Sequence, residues 1–230
     1  MRQAIWSRVG PVTGLLFVIV LHIGFLIHGY PDVRPTDAQL ANWLASVDTN
    51  RFGLGVYIEA LGTLLFIPFA AWLYSHLRRD PRGSPWPAVA MLASATGWVI
   101  LTLPIDELYV GILGQARRGL DIHVAQTVVS ITQATYDMTA IVLGLALLAA
   151  GVSILGGGVM SWWAGWAAIV IGLIEVFSAP FGTDATPAGL LPYFWVIAVA
   201  GYYTFRPSRA RELVTGIAQP SMTPGLPATR

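Results

Sequence analysis

Six long apolar stretches constrain the fold of this chain more than any other feature of its sequence. They cover residues 11–29, 52–76, 86–113, 121–151, 162–180 and 188–205. About 20 mostly apolar residues in a helix cross the roughly 30 Å hydrocarbon layer of a bilayer. A helix also satisfies its own backbone hydrogen bonds, for which lipid offers no partners. The sequence therefore predicts an all-α, polytopic membrane bundle with about six transmembrane helices within residues 1–206.

The composition supports a membrane location and excludes several classes of function. Only 11% of the 230 residues are charged and the mean hydropathy is +0.65, whereas roughly a quarter of an average soluble domain is charged. The absence of cysteine excludes disulfides and thiolate chemistry. All 13 basic residues are arginine, so no lysine can form a Schiff base with a carbonyl ligand such as retinal. The net charge of +1 gives no indication of nucleic-acid binding, and no cofactor is expected.

The arginines near the span ends predict the orientation of the bundle. If the N-terminus is cytoplasmic, eight arginines lie inside and four outside, as the positive-inside rule requires. The inside group is Arg2, Arg8, Arg78, Arg79, Arg82, Arg206, Arg209 and Arg211, and the outside group is Arg34, Arg51, Arg117 and Arg118. Both termini are therefore predicted to be cytoplasmic. The first span has no small-residue cleavage site after it and is interpreted as retained, and polar residues 207–230 are interpreted as a disordered tail.

A short amphipathic helix is predicted between the first two spans, at about residues 36–47. Thr36 with Gln39 three residues later forms a capping-box pattern at its start. The apolar residues that follow at helical spacing are Leu40, Trp43, Leu44 and Val47. Such a helix lies on the membrane surface, where it either simply covers the bundle or acts as a lid over a cavity.

The fourth span carries a polar stripe. Its members follow each other at steps of three, four, three and four residues, which places them on one face of a helix; they are His123, Gln126, Ser130, Gln133 and Asp137. We expect this face to point into the bundle and to form a polar crevice that opens outward and ends near Asp137. The alternative is that the amides and the hydroxyl only bond neighbouring helices.

Other ionisable residues fall in the outer half of the predicted membrane, where each costs about 2.5–3.5 kcal/mol if it faces lipid. His22, Glu59 and Glu175 lie roughly 7–10 Å below the outer boundary at about 1.5 Å per residue, and together with the stripe they form the candidate ligand-binding set. Pro104 bends the third span beside Asp106 and Glu107. At most one of these two carboxylates is expected to share a cavity with Glu59, the alternative being pairing with arginines at the rim.

Metal binding and histidine chemistry are less well supported. Side chains of types that bind zinc, iron or manganese are Glu59, Asp106, His123 and Glu175. None of them occurs at a recognised ligand spacing, so no metal site is expected. His28 and His76 lie at span ends, where we expect them to be solvated or interfacial.

Two resemblances to known families bear on the fold and the chemistry. The segment from Tyr136-Asp137 to Gly151, followed by Trp163-Ala164-Gly165-Trp166 and Gly172, resembles two helices of a bacterial six-helix membrane family classified only as a domain of unknown function; Arg51-Phe52-Gly53 and Leu77-Arg78 are similar too. This likeness implies a six-helix bundle, and it transfers no catalytic residue. The expected location of the chain is the cell (inner) membrane of a bacterium. Pro104-Ile105-Asp106-Glu107 resembles the Pro-x-Glu-Glu motif of integral-membrane lycopene cyclases, which implies a carboxylic acid that is kept protonated and donates its proton to an alkene.

Three functions are compatible with these observations. The first is a crevice that binds or moves a small cationic or amphipathic ligand. The second is an intramembrane enzyme in which Glu59, Asp106 or Asp137 acts as general acid or base on a lipid-soluble, isoprenoid-like substrate. The third is a membrane scaffold or signalling partner, which needs no cavity. The sequence does not fix the oligomeric state.

Overall fold

The computed structural model describes residues 2–31, 34–78, 84–158, 160–179 and 187–205. Within these residues the chain forms seven α-helices and one short 3-10 helix at Pro187–Leu190. The α-helices are α1 (Arg2–His28), α2 (Asp37–Ser46), α3 (Thr49–Leu77), α4 (Trp86–Ala116), α5 (Ile122–Gly157), α6 (Trp162–Ser178) and α7 (Leu191–Phe205). The predicted tail at 207–230 lies outside the described residues. The all-helical prediction is confirmed.

Four of these helices are long and apolar enough to cross a membrane: α1 from Val9, α3, α4 and α5. All six predicted spans contain an apolar helix, but α6 and α7 have only 17 and 15 residues. At about 1.5 Å per residue they are roughly 25 Å and 22 Å long, less than the roughly 30 Å of hydrocarbon. The structure is therefore compatible with an integral membrane protein in which four helices have full spanning length.

The long helices pack side by side around a central core. α3 lies between α1 and α4, α5 lies between α4 and α6, and α7 packs mainly on α1. The ends at His28, Thr49, Ala116, Ile122 and Ser178 lie together, because each connection reverses the chain direction. This shared end is called the outer end below, following the orientation that the arginines predict.

Two separate apolar clusters fill the bundle, and a polar layer lies between them. The larger cluster, toward the other end, contains Phe66 of α3 and Val99 of α4, whereas the smaller cluster at the outer end contains Val56 and Tyr109 of the same helices. Buried polar side chains occupy the positions between the clusters: Glu59 and Thr63 on α3, Thr102 and Asp106 on α4, and Thr132 and Thr139 on α5. The larger cluster encloses an apolar cavity of about 20 Å³, about enough for one water molecule.

Glycines allow α1 and α3 to approach very closely near this polar layer. A Cβ atom on Gly24 would lie 2.5 Å from the backbone nitrogen of Glu59, and one on Gly55 would lie 2.7 Å from Cβ of His28. Small residues at helix contacts allow such close approach in membrane bundles. A similar contact joins α5 to α6, where Gly144 and Gly172 face each other.

The short helix α2 lies over the outer end of the bundle. Thr36 caps it, and the reciprocal bonds of the capping box with Gln39 are both present, which confirms the predicted amphipathic helix. Leu40 is completely buried in the smaller apolar cluster at the outer end. Trp43 packs edge-on against Phe52 of α3 and Tyr109 of α4. α2 therefore covers the outer ends of α3, α4 and α5.

Candidate ligand-binding site

A buried hydrogen bond between a histidine and a glutamate joins α1 to α3 at the outer end. Nε2 of His28 lies 2.6 Å from Oε2 of Glu59, and the two residues are only 8% and 7% exposed. Gly55 makes this pair possible, because a larger residue there would collide with the His28 side chain. The prediction that His28 is solvated is wrong, since the close α1–α3 contact encloses its ring.

Tyr30 connects this pair to a second carboxylate. Gly29 ends α1 in the left-handed conformation (φ 63°) and its N–H bonds the carbonyl of Phe25, a common way of ending a helix. The chain then turns, so that the Tyr30 hydroxyl donates to Oδ1 of Asp106 on α4 and lies 3.3 Å from Oε2 of Glu59. Burial, followed by the nearby Glu59 and Asp106 charges, raises the pKa of Tyr30 well above its usual range. The phenol therefore remains a neutral donor at physiological pH.

We call these four side chains, His28, Tyr30, Glu59 and Asp106, the outer cluster site. Asp106 is only 3% exposed, whereas its neighbour Glu107 is exposed. This confirms the expectation that at most one of the two adjacent carboxylates reaches Glu59. The predicted bend at Pro104 is not needed for that result, because residues about 100° apart on a helix necessarily face different ways.

Aromatic rings surround the outer cluster site. The His28 ring lies 4.6 Å from the Tyr30 ring and 5.0 Å from the Phe52 ring, centroid to centroid. Tyr109 lies 5.3 Å from Tyr30, and Trp43 of α2 lies 5.7 Å from Phe52. Aromatic rings thus pack against His28 and Tyr30, and the short helix α2 packs on these rings through Trp43.

Part of the polar stripe on α5 holds the segment that leads into α2. The Gln126 amide donates to the carbonyl of Pro35 at 2.5 Å, and the Arg34 backbone N–H donates to Oε1 of Gln133 at 3.3 Å. At the rim, Nδ1 of His123 lies 3.5 Å from a carboxylate oxygen of Asp37. These contacts tether residues 34–37, and hence α2, to α5.

The remaining stripe residues lie at less enclosed positions. Ser130 is exposed and donates to the Gln126 carbonyl of its own helix. Asp137 is half-buried, and the positive charge of Arg34 acts on its carboxylate. The stripe thus follows the covered edge beside residues 34–37.

Two further candidates lie apart from the outer cluster site. His22 donates from Nδ1 to the Val18 carbonyl at 2.8 Å, and its ring packs edge-on against Tyr193 of α7. Glu175 on α6 is 2% exposed beside Gly144, and its Oε1 has no hydrogen-bond partner among the residues that the structure describes. The predicted ligand-binding set is therefore divided among several places.

Sequence reasoning missed His28 and Tyr30. A signal existed in the spacing, because Gly24 lies four residues before His28 and Gly55 lies four residues before Glu59. Residues four apart share a helix face, so each ionisable group follows a small residue on the same face. A face of this kind on each of two helices predicts that the helices pack closely there, with their ionisable side chains at the helix–helix contact.

The chemistry of the outer cluster site is that of an acidic, aromatic enclosure with one titratable base. Nδ1 of His28 is buried and has no hydrogen-bond partner within the described part of the chain. In the same part of the chain, no three His, Asp or Glu side chains are arranged to hold a metal ion. No family model, curated protein or solved structure matches the chain, so the geometry of the site is the basis for its interpretation.

Proposed function

We propose that this protein binds, or moves across the membrane, a small cationic or amphipathic ligand at the outer cluster site. The proposal includes six spans, both termini in the cytoplasm and a location in a bacterial inner membrane. The arginine distribution supports that orientation, and the four helices of full spanning length support the membrane location. The likeness to a six-helix bacterial family is part of the same proposal.

One observation carries the proposal: Glu59 of α3 and Asp106 of α4 approach the same phenol, Tyr30. Both carboxylates are more than nine-tenths buried, and two carboxylates that share a buried site cannot both ionise without compensating positive charge. His28 supplies that charge only when it is protonated. Within the described part of the chain, Nδ1 of its ring has no hydrogen-bond partner, which supports a site with an unfilled polar group.

The walls of the site favour an organic cation over a hydrated metal ion. Tyr30, Phe52, Tyr109 and Trp43 place their rings within one enclosure. Ammonium groups are attracted to the faces of such rings, and aromatic cages bind quaternary ammonium ligands in this way. A ligand with an apolar part would also replace contacts that Trp43 and Leu40 make in the closed structure.

Access requires α2 to move. Leu40 is fully buried and Trp43 contacts both α3 and α4, so the closed helix fills the space above the carboxylates. Only 10 residues form α2, and its polar tethers to α5 come from the preceding residues 34–37. α2 therefore acts as a lid in this proposal.

Calorimetry with a defined probe tests the proposed function. Benzyltrimethylammonium should bind saturably to the purified protein in detergent, whereas its uncharged isostere neopentylbenzene should bind far more weakly. Glu59→Gln and Asp106→Asn should each weaken binding by about tenfold or more, because a buried charge partner is lost. Glu107→Gln, which changes the exposed neighbour, is the matched control. Absence of saturable binding, or equal binding by Glu59→Gln, would overturn the proposal.

A second candidate function is favoured by the His28–Glu59 pair itself. A carboxylate that orients an imidazole at 2.6 Å is an arrangement that general bases use, and it lies beside lipid-accessible helices. In this alternative the protein is an intramembrane acid–base enzyme with a lipid-soluble, isoprenoid-like substrate. Lipid extracts from cells that express the native protein would then contain a product absent with Glu59→Gln, and identical extracts would exclude it.

A further inference from the structure

We propose that the outer cluster site exchanges a monovalent organic cation for one proton, which leaves from the His28–Glu59 pair. This inference rests on the proposed function, because it specifies how the same site compensates its charge. It adds a proton whose release is coupled to binding of the organic cation. It also predicts that protonation of the site weakens binding of that cation.

The charged and titratable groups that face His28 come from three elements. Glu59 of α3 contacts its Nε2, and Tyr30 joins Glu59 to Asp106 of α4. Arg51 of α3 is turned toward the end of α1, where its Nε donates to the Ile27 carbonyl at 2.9 Å. On α2, Asp37 is directed to His123 at the rim, and α7 contributes Tyr193, which packs on His22. The enclosed balance therefore involves two carboxylates, one phenol and one imidazole.

The charge balance of the outer cluster site requires one proton in addition to the hydroxyl hydrogen of Tyr30. Tyr30 has one hydrogen and donates it to Asp106, while its oxygen lies 3.3 Å from Glu59. Without a further positive charge, two buried carboxylates repel each other through a medium of low dielectric. Protonated His28, in contact with Glu59, supplies this charge when no ligand is bound.

A bound organic cation would replace that proton. An ammonium group near Glu59 and Asp106 provides the same compensation, and it repels an imidazolium at close range. A protonated His28 would also carry an N–H group at Nδ1, which is buried and has no hydrogen-bond partner among the residues that the structure describes. A buried donor without a partner carries a desolvation cost, so deprotonation relieves both effects. One imidazolium N–H bond breaks, and the proton passes to solvent as α2 opens.

The proton count can be measured directly. Titration calorimetry of the native protein with benzyltrimethylammonium, carried out near pH 7 in phosphate and in HEPES, gives the protons released from the difference in heat between the buffers. We expect about one proton per bound cation. By linkage, the affinity of the native protein should also weaken about tenfold for each pH unit on the acidic side of the transition.

Variants assign the proton to His28. His28→Gln keeps a donor for Glu59 but removes the imidazole, and Asp106→Asn added to it removes the second carboxylate that would otherwise force the pair to hold a proton. This double variant should bind the probe without proton release, whereas Asp106→Asn alone should still release a proton. His76→Gln is the matched control, because His76 stacks on Trp72 at the other end of the bundle and should leave the release unchanged.

The outcomes separate the two proposals. If the native protein does not bind the probe, the proposed function fails. If it binds the probe with no proton release and no pH dependence, or if the double variant still releases a full proton, the exchange fails while the binding function stands. The pH dependence of the native protein decides the exchange even if the double variant does not fold.

Discussion

The hydroxyl of Tyr30 donates to Asp106, a residue 76 positions later in the chain. The contact ties the turn after α1 to the middle of α4, and the same hydroxyl lies near Glu59 of α3. Three elements therefore meet at one phenol. Because α2 begins only seven residues after Tyr30, at Asp37, this contact also lies close to the start of that helix.

Removing this phenol should destabilise the protein. Tyr30→Phe leaves Asp106 and Glu59 buried without their shared donor, which we expect to cost about 1–3 kcal/mol. Thermal unfolding in detergent measures the effect as a lowered Tm. Tyr57→Phe is the control, since Tyr57 is 62% exposed, and an equal loss in both variants would contradict a specific role for Tyr30.

The stability that Tyr30 contributes should depend on pH at the alkaline end. The fold raises the pKa of Tyr30, so the folded state favours the neutral phenol. A raised folded pKa means that its contribution is fully present below the unfolded value of about 10 and decreases as pH rises above it. The Tm difference between native protein and Tyr30→Phe should therefore narrow above about pH 10. A difference that stays constant would contradict burial of this phenol.

The close contact of α1 with α3 should tolerate no side chain at Gly55. Gly55→Ala places a Cβ atom 2.7 Å from Cβ and Cδ2 of His28, and such overpacking typically costs about 1–3 kcal/mol. Benzyltrimethylammonium binding should weaken as well, because the His28–Glu59 pair must separate. Gly53→Ala on the same helix meets nothing within 4 Å and should be neutral or slightly stabilising. Equal effects at both positions would argue against this contact.

The tether from α5 should keep the lid closed. Because the native chain has no cysteine, Ala41→Cys on α2 and Thr127→Cys on α5 allow spin labels at two exposed sites. Adding Gln126→Ala removes the bond to Pro35 and should broaden the label–label distance distribution toward longer values. Ser130→Ala is the control, since Ser130 bonds only the carbonyl of its own helix. A narrow, unchanged distribution with Gln126→Ala would show that Leu40 and Trp43 suffice to hold α2.

The predicted orientation can be tested with the same cysteine-free background. A membrane-impermeant maleimide applied to intact cells should label Arg118→Cys at the α4–α5 turn and should not label Ser84→Cys before α4. Both positions are exposed in the structure, so membrane sidedness decides the result. The reverse labelling pattern would invert the orientation and place the outer cluster site on the cytoplasmic side.

The sequence predicted the elements more completely than their contacts. Apolar length predicts every long helix, and the capping box at Thr36 predicts α2, because both signals are local. The partner of Glu59 could not be predicted in this way, since lipid-facing and core-facing residues of a membrane helix are both apolar and periodicity does not identify the neighbouring helix. The polar stripe shows the same limit: Gln126 and Gln133 bond backbone atoms of a connecting segment, which no side-chain pattern indicates.

The two apolar clusters on either side of the polar layer control access to the buried carboxylates from opposite ends of the bundle. In the proposed function, displacing α2 opens the carboxylates to the outer end of the bundle only, because the larger cluster still packs below them. The larger apolar cluster would then be a hydrophobic gate, because an ion would have to lose its hydration shell in order to pass it. A receptor needs only the lid to move, whereas a carrier must in addition separate Phe66 from Trp98 at the gate, where the rings are 5.1 Å apart.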